Sequence, residues 1–166
     1  MSIYQNYGYN NIMTNIRNAS EKDIGQLVGL MKSMIDYHHE LDAYYKPADK
    51  YVGLEDEVAA WLKNQDINIL IAEDDGVLTG YLRVGVEEGP LYTEAKKIGV
   101  VHDIFVQSGH RQKGIAKELF QESLKWFAVK KVKNIELDVS IKNDNAIQLW
   151  DGLGFKDYKR RMRLDI

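Results

Sequence analysis

Gly109-His110-Arg111-Gln112-Lys113-Gly114 is a polar, basic, flexible stretch set between an apolar run and an apolar periodicity of helical spacing. A turn of this kind, where a strand stops and a helix starts, suits an anion. The first N–H groups of a helix have no partners within it, and the helix dipole adds partial positive charge at that end. Gly114 lets a bulky phosphate approach the backbone, and Ala116 keeps the first helical turn small. A pyrophosphate fits these features; an exposed loop kept soluble by Arg111 and Lys113 is the other reading of the same residues. The three-glycine dinucleotide fingerprint is absent, and so is the Gly-Lys-Ser/Thr ending of nucleoside-triphosphate loops.

Just before the turn stand His102 and Asp103. An unperturbed imidazole, with a pKa of ~6.5, suits general-base work near neutrality. Strand alternation would point the two side chains to opposite faces of a sheet. The chain has no cysteine, which removes disulfides, thiolate zinc sites and cysteine nucleophiles from consideration. His38 and His39 are adjacent and lack the i, i+4 spacing of a helical metal pair, so no metal is expected.

The elements that must carry these groups follow from periodicity. Ile16 and Arg17 read as a short strand, and Ser20 followed by Asp23 is a near capping box that opens a helix. Ile24, Leu27, Val28, Met31, Met34, Ile35 and His38 recur at helical spacing, and residues 54–64 form a second, shorter helix. Two strand-like runs flank the tight turn Asp74-Asp75-Gly76. After a polar loop at 87–97, residues 98–106 form a strand apolar on both faces and therefore central. Ala116, Leu119, Phe120, Ser123, Leu124 and Phe127 mark a long helix, followed by a strand at 135–140, a helix from Asn145 to Gly152 and an extended tail. The order β, α, α, β, β, β, α, β, α, β predicts an α/β (α+β) fold with a mixed central sheet flanked by helices on both faces.

At 166 residues the chain is expected to form one domain, assigned to 16–166, while residues 1–15, rich in Tyr and Asn with no apolar period, read as a flexible arm. A formal charge of −3 argues against a nucleic-acid partner. No window approaches the ~18 apolar residues of a membrane span, so a cytoplasmic protein without a membrane partner is expected.

Arg111-Gln112-Lys113-Gly114-Ile115-Ala116 resembles the R-x-x-G-x-G/A signature of the GNAT superfamily, the acetyl-CoA-dependent N-acetyltransferases, and it too follows a strand, here ending at Val106. Residues 143–155, N-D-N-A-I-Q-L-W-D-G-L-G-F, resemble the later motif N-x-x-A-I-x-L-Y-x-x-x-G-F. The likeness runs from about Ile16 to the C-terminus. It implies the GNAT fold, with backbone amides of Arg111, Gln112, Lys113, Gly114, Ile115 and Ala116 on the pyrophosphate of coenzyme A. It implies main-chain pairing of Ile104, Phe105 and Val106 with the pantetheine arm, a side-chain contact from Asn143 to that arm, and Trp150 beside the cofactor. Strand 135–140 would splay from strand 98–106 and leave a gap for the thioester. In relatives with Glu-Asp at the equivalent of His102-Asp103, the first acid is the base, which makes His102 and Asp103 the catalytic candidates here.

Trp150 departs from the family pattern, which has Tyr there. An indole N–H donates a hydrogen bond but does not give up its proton near neutrality. Since thiols ionise near pKa ~8.5, the thiolate can leave without a phenol, at a loss of ~10²-fold or more in rate. Tyr158 would have to swing in to replace it. On the acceptor side, Asp36, His38, His39, Glu40 and Asp42 with Tyr37, Tyr44 and Tyr45 suit a cationic amine, or else form a solvated helix end over core tyrosines; Glu87 and Glu88 present the same choice. The expectation is direct acetyl transfer in a ternary complex to a primary amine. A small cationic amine, a polyamine or an aminoglycoside-like compound, comes first and a protein N-terminus or lysine second, in a homodimer. A non-catalytic acyl-CoA sensor, motivated by Trp150, and a module holding ATP in the turn are the readings from other classes.

Overall fold

Arg17 explains how the first elements lock together. In the computed structural model, which describes residues 14–164 and 166, its guanidinium donates to both carboxylate oxygens of Asp23 at 2.8 Å and to Glu73 at 2.8 Å. Ser20 and Asp23 form the expected capping box ahead of α1 (Ile24–Leu41). The hydrogen bonds from Arg17 hold the buried Asp23 carboxyl well below the usual carboxylate range. One ion cluster thus ties β1 (Asn15–Asn18), the start of α1 and β2 (Ile67–Asp74).

Five strands lie in sequence order in a single sheet: β1, β2, β3 (Val77–Glu88), β4 (Lys97–Val106) and β5 (Ile135–Leu137). The first four pair antiparallel and β5 runs parallel to β4. On one face α1 and α2 (Leu54–Lys63) bury Leu27, Met31 and Val58 against Ile71, Tyr81 and Phe105. On the other, α3 (Ile115–Val129) and α4 (Asp144–Gly152) pack Leu119, Phe127 and Trp150 on Leu82, Val84 and Val101. β4 contributes to both layers, which is why its sequence is apolar on both sides.

Two expectations change, and a third lies mostly outside the described residues. Strand 135–140 is cut to Ile135–Leu137, because its pairing with β4 ends at Val101 opposite Leu137. The final strand of the expected order is not formed among the described residues. There the tail is held by side chains, Tyr158 Oη donating to Glu136 at 2.5 Å, Arg161 to Asp138 at 3.1 Å and Arg163 to Asp42 at 3.5 Å, in place of a backbone ladder. The arm assigned to 1–15 lies outside the described residues up to position 13, and Asn15 already belongs to β1.

Candidate active site

β4 ends at Val106, a single 3₁₀ turn spans Ser108–His110, and α3 starts at Ile115. Between them Gln112 (φ +61°) and Gly114 (φ +86°) take left-handed conformations that reverse the chain. Among the described residues the amides of Gln112, Lys113, Gly114, Ile115, Ala116 and Lys117 have no acceptor, and the first satisfied one is Glu118, bonded to the Gly114 carbonyl at 3.0 Å. Unpaired amides at a helix start are the kind of donors an anion uses. The Arg111 amide is spent on Ser108 O at 3.3 Å. Its side chain folds back over the end of β4 while the residue stays exposed: Nε donates to Val106 O at 2.9 Å, and the guanidinium lies 5.1 Å from the Tyr37 ring and 5.5 Å from that of Phe105. Arg111 therefore braces the turn, and Lys113 is its outward charge. His110 Nδ1 is buried in the turn with no partner.

The Gln107 amide bonds Thr79 O, so alternation directs the main-chain groups of Phe105 to β3 and those of Ile104 and Val106 to the open side of β4. Phe105 therefore has no main-chain group on the open side, and its ring belongs to the core beneath α1. Beyond Val101 and Leu137 the two parallel strands part, leaving a cavity of about 80 Å³ whose walls include His38, His102, Asp103, Asp138, Asn143 and Trp150.

His102 sits on a β-bulge. Arg83 pairs with Asp103 and Val84 with Val101, so His102 is the extra residue of β4. This overturns simple alternation: the His102 ring lies against Gly85, on the sheet face that carries Arg83 and Asp103, instead of opposite Asp103. A Cβ at position 85 would stand 2.5 Å from His102 Nε2, so the glycine makes the seat for the imidazole. Burial and then the Arg83 charge lower the His102 pKa from its ordinary value, against weaker opposite effects of Asp103 and Glu87. The ring is neutral at neutral pH and able to accept a proton. Asp103 is engaged, its Oδ2 accepting from Arg83 Nε at 2.6 Å, while the Arg83 guanidinium stacks 3.8 Å from the Trp61 ring.

Asn143 caps α4, its Oδ1 accepting from the Ala146 amide at 3.2 Å and from Tyr37 Oη at 3.3 Å. Trp150 is buried in edge-on contact with Phe120 and Phe155, with ring centroids 5.6 and 5.3 Å away. Of the acceptor segment, Asp36 accepts from the Ala48 amide at 2.7 Å, His39 Nδ1 donates to Tyr45 O at 2.6 Å, and Asp42 holds the Tyr44 amide, Lys142 and Arg163. His38 is the residue of that set that reaches the cavity. It follows the buried Leu27 and Met31 and the partly buried Met34 along the core-facing side of α1. Sequence reasoning missed Arg83 and Gly85, for which the glycine inside a strand was the signal, and it read Tyr37 only as an acceptor-side aromatic, whereas its hydroxyl bonds the α4 cap and its ring lies by Arg111. Among the described residues no group of three or more acids and histidines could hold a metal, and no helix is long and apolar enough to cross a membrane.

The pattern of the acetyltransferase (GNAT) family matches residues 34–155, and the chain belongs to that family. It is 32% identical over 152 residues to an N-alpha-acetyltransferase of Sulfurisphaera tokodaii, covering 87% of this chain and 81% of that protein. It is 25% identical over 145 residues to the uncharacterized N-acetyltransferase YhfO of Bacillus subtilis, with 86% and 90% covered. In structure it is similar to a tetramutant of the BH1408 protein of Bacillus halodurans (TM-score 0.81, 21% identity, 92% and 99% covered). It is also similar to the aminoglycoside acetyltransferase AAC(6')-Iy bound to a CoA-S-monomethyl-acetylneamine bisubstrate analog (TM-score 0.76, 21% identity, 92% and 97% covered). At that identity the two structures speak for the fold. The chain is an acetyl-CoA-dependent N-acetyltransferase.

Proposed function

We propose that the chain moves the acetyl group of acetyl-CoA directly to an α-amino group, that of a peptide or a similar small acceptor, with His102 as the base. The observation that carries this is the neutral imidazole seated on the bulge at the open gap between β4 and the chain beyond β5. An α-ammonium ionises near pKa ~8, within reach of a weak base, whereas a lysine-like ammonium near ~10.4 is not. Of the acids that could have faced a cationic amine, Asp36 and Asp42 hold backbone amides, which supports an acceptor of lower charge. The Sulfurisphaera relative's name, N-alpha-acetyltransferase, points the same way.

The amides from Gln112 to Ala116 suit the coenzyme A pyrophosphate, and Lys113 adds charge at their rim. The open-edge groups of Ile104 suit the pantetheine arm; at Val106 one lone pair of the carbonyl is already taken by Arg111. Asn143, committed as a cap through Oδ1, offers its amide N–H groups to that arm. In the transfer the amine lone pair forms the N–C bond and the C–S bond breaks with its pair on sulfur. Asp103 keeps Arg83 in place beside His102, which is a positioning role. Trp150 offers the sulfur an indole N–H and no transferable proton.

A small cationic amine is the second reading, favoured by Asp103 and Asp138 in the cavity wall and by the aminoglycoside analog on AAC(6')-Iy. A homodimer in the cytoplasm belongs to the same proposal, the exposed Met162, Leu164 and Ile166 of the tail offering apolar contacts for a second copy. Thiol release from acetyl-CoA with N-terminal peptides, spermidine and an aminoglycoside, with Trp150→Tyr run in parallel, tests the reading. Turnover with peptides but not spermidine is expected, faster in the Tyr variant. Acetyl-CoA binding without turnover in either protein would favour the sensor.

A further inference from the structure

His38, in the last turns of α1, lines the same cavity as His102 of β4. Its ring is half-buried, packed edge-on against Tyr37 (6.1 Å) and tilted against Tyr45 (5.7 Å), and neither ring nitrogen has a hydrogen-bond partner among the described residues. Neither nitrogen is sealed from solvent, so both are open to a molecule entering the cavity. Burial lowers its pKa from the ordinary value, with Asp103 opposing, so it too is a free base at neutral pH.

The reaction leaves room for such a group. A primary ammonium must lose two protons to become an amide, and residue 150 has no phenol to manage the one that ends on sulfur. We propose that His38 is a second catalytic residue, taking from the acceptor nitrogen the proton that His102 does not. The inference rests on the reading above. One imidazole takes the first proton, the freed lone pair forms the N–C bond as C–S breaks onto sulfur, and the other imidazole takes the second proton. One of the two protons then passes to the thiolate and the other to solvent.

The titratable groups facing this space are Asp103 and His102 from β4, Asp138 beyond β5, and Tyr37 and Tyr45 around His38, while Arg83 and Glu87 face His102 from β3. The test is kcat against pH at saturating acetyl-CoA and peptide for the parent, His38→Gln, His102→Gln and the double variant, with acetyl-CoA affinity and melting temperature measured on each. His38→Gln is expected to lower kcat by about 10- to 100-fold at unchanged acetyl-CoA affinity and to remove one proton from the acid limb. Added imidazole is expected to restore His38→Ala in part. Parent-like kcat and pH profile in His38→Gln, or a loss traced wholly to melting or donor affinity and not rescued by imidazole, would overturn the proposal while leaving the transferase reading intact. A parent that acetylates no amine would overturn both.

Discussion

At its C-terminal end β4 opens onto main-chain donors: successive amides left unpaired by a left-handed reversal and the start of α3, with Arg111 folded back to brace them. At its middle the same strand presents side chains, His102 lifted by a bulge and Asp103 held by Arg83, in a seat that exists because position 85 has no side chain. The first region is built from local conformation and tolerates many side chains. The second is built from register between strands, and each of its side chains depends on another. A site of the second kind can change its chemistry with one neighbour.

The contrast can be broken from the second region first. Gly85→Val should push the imidazole from its seat and lower kcat by ~10²-fold with acetyl-CoA affinity retained. Steady-state kinetics beside calorimetric donor binding decides this, and a loss of binding instead would dissolve the distinction. Asp103→Ala leaves the Arg83 guanidinium, 16% exposed, without its carboxylate, and should cost about 2 kcal/mol in denaturant unfolding. In the first region Gly114→Ala must hold φ near +86°, a strain of about 1–2 kcal/mol. Donor affinity should fall about 10-fold while kcat at saturation stays near that of the parent. The smallest effect sharpens the electrostatics. Protonated His102 cannot accept a proton, so kcat should fall toward acid with a midpoint below the ordinary imidazole value; Glu87→Gln, which removes a charge that raises it, should move that midpoint lower still.

The same contrast decides what could be read from the sequence. The turn was legible because a glycine and an amide-rich helix start are local properties, although the left-handed Gln112 was not, since Gln gives no sign of it. The layer order was legible from periodicity, and the apolar β4 from its two-sided burial. The shared face of His102 and Asp103 was hidden, because a bulge is set by the partner strand; the glycine at 85 was its trace. The sequence left the acids of 36–42 open between two roles for a related reason: a carboxylate facing a ligand and one holding the Ala48 amide look alike in sequence. The shortened β5 escaped because the end of its pairing, Leu137 opposite Val101, is set by where β4 runs and not by residues 138–140 themselves.

Tyr37 has a kinetic consequence. Its hydroxyl reaches the cap of α4 and its ring lies under the guanidinium that braces the turn, while His38 is the next residue along the same helix. Seating the donor on turn and cap would therefore fix the end of α1 before the amine arrives, and the enzyme should take its substrates in obligatory order, acetyl-CoA leading and coenzyme A departing last.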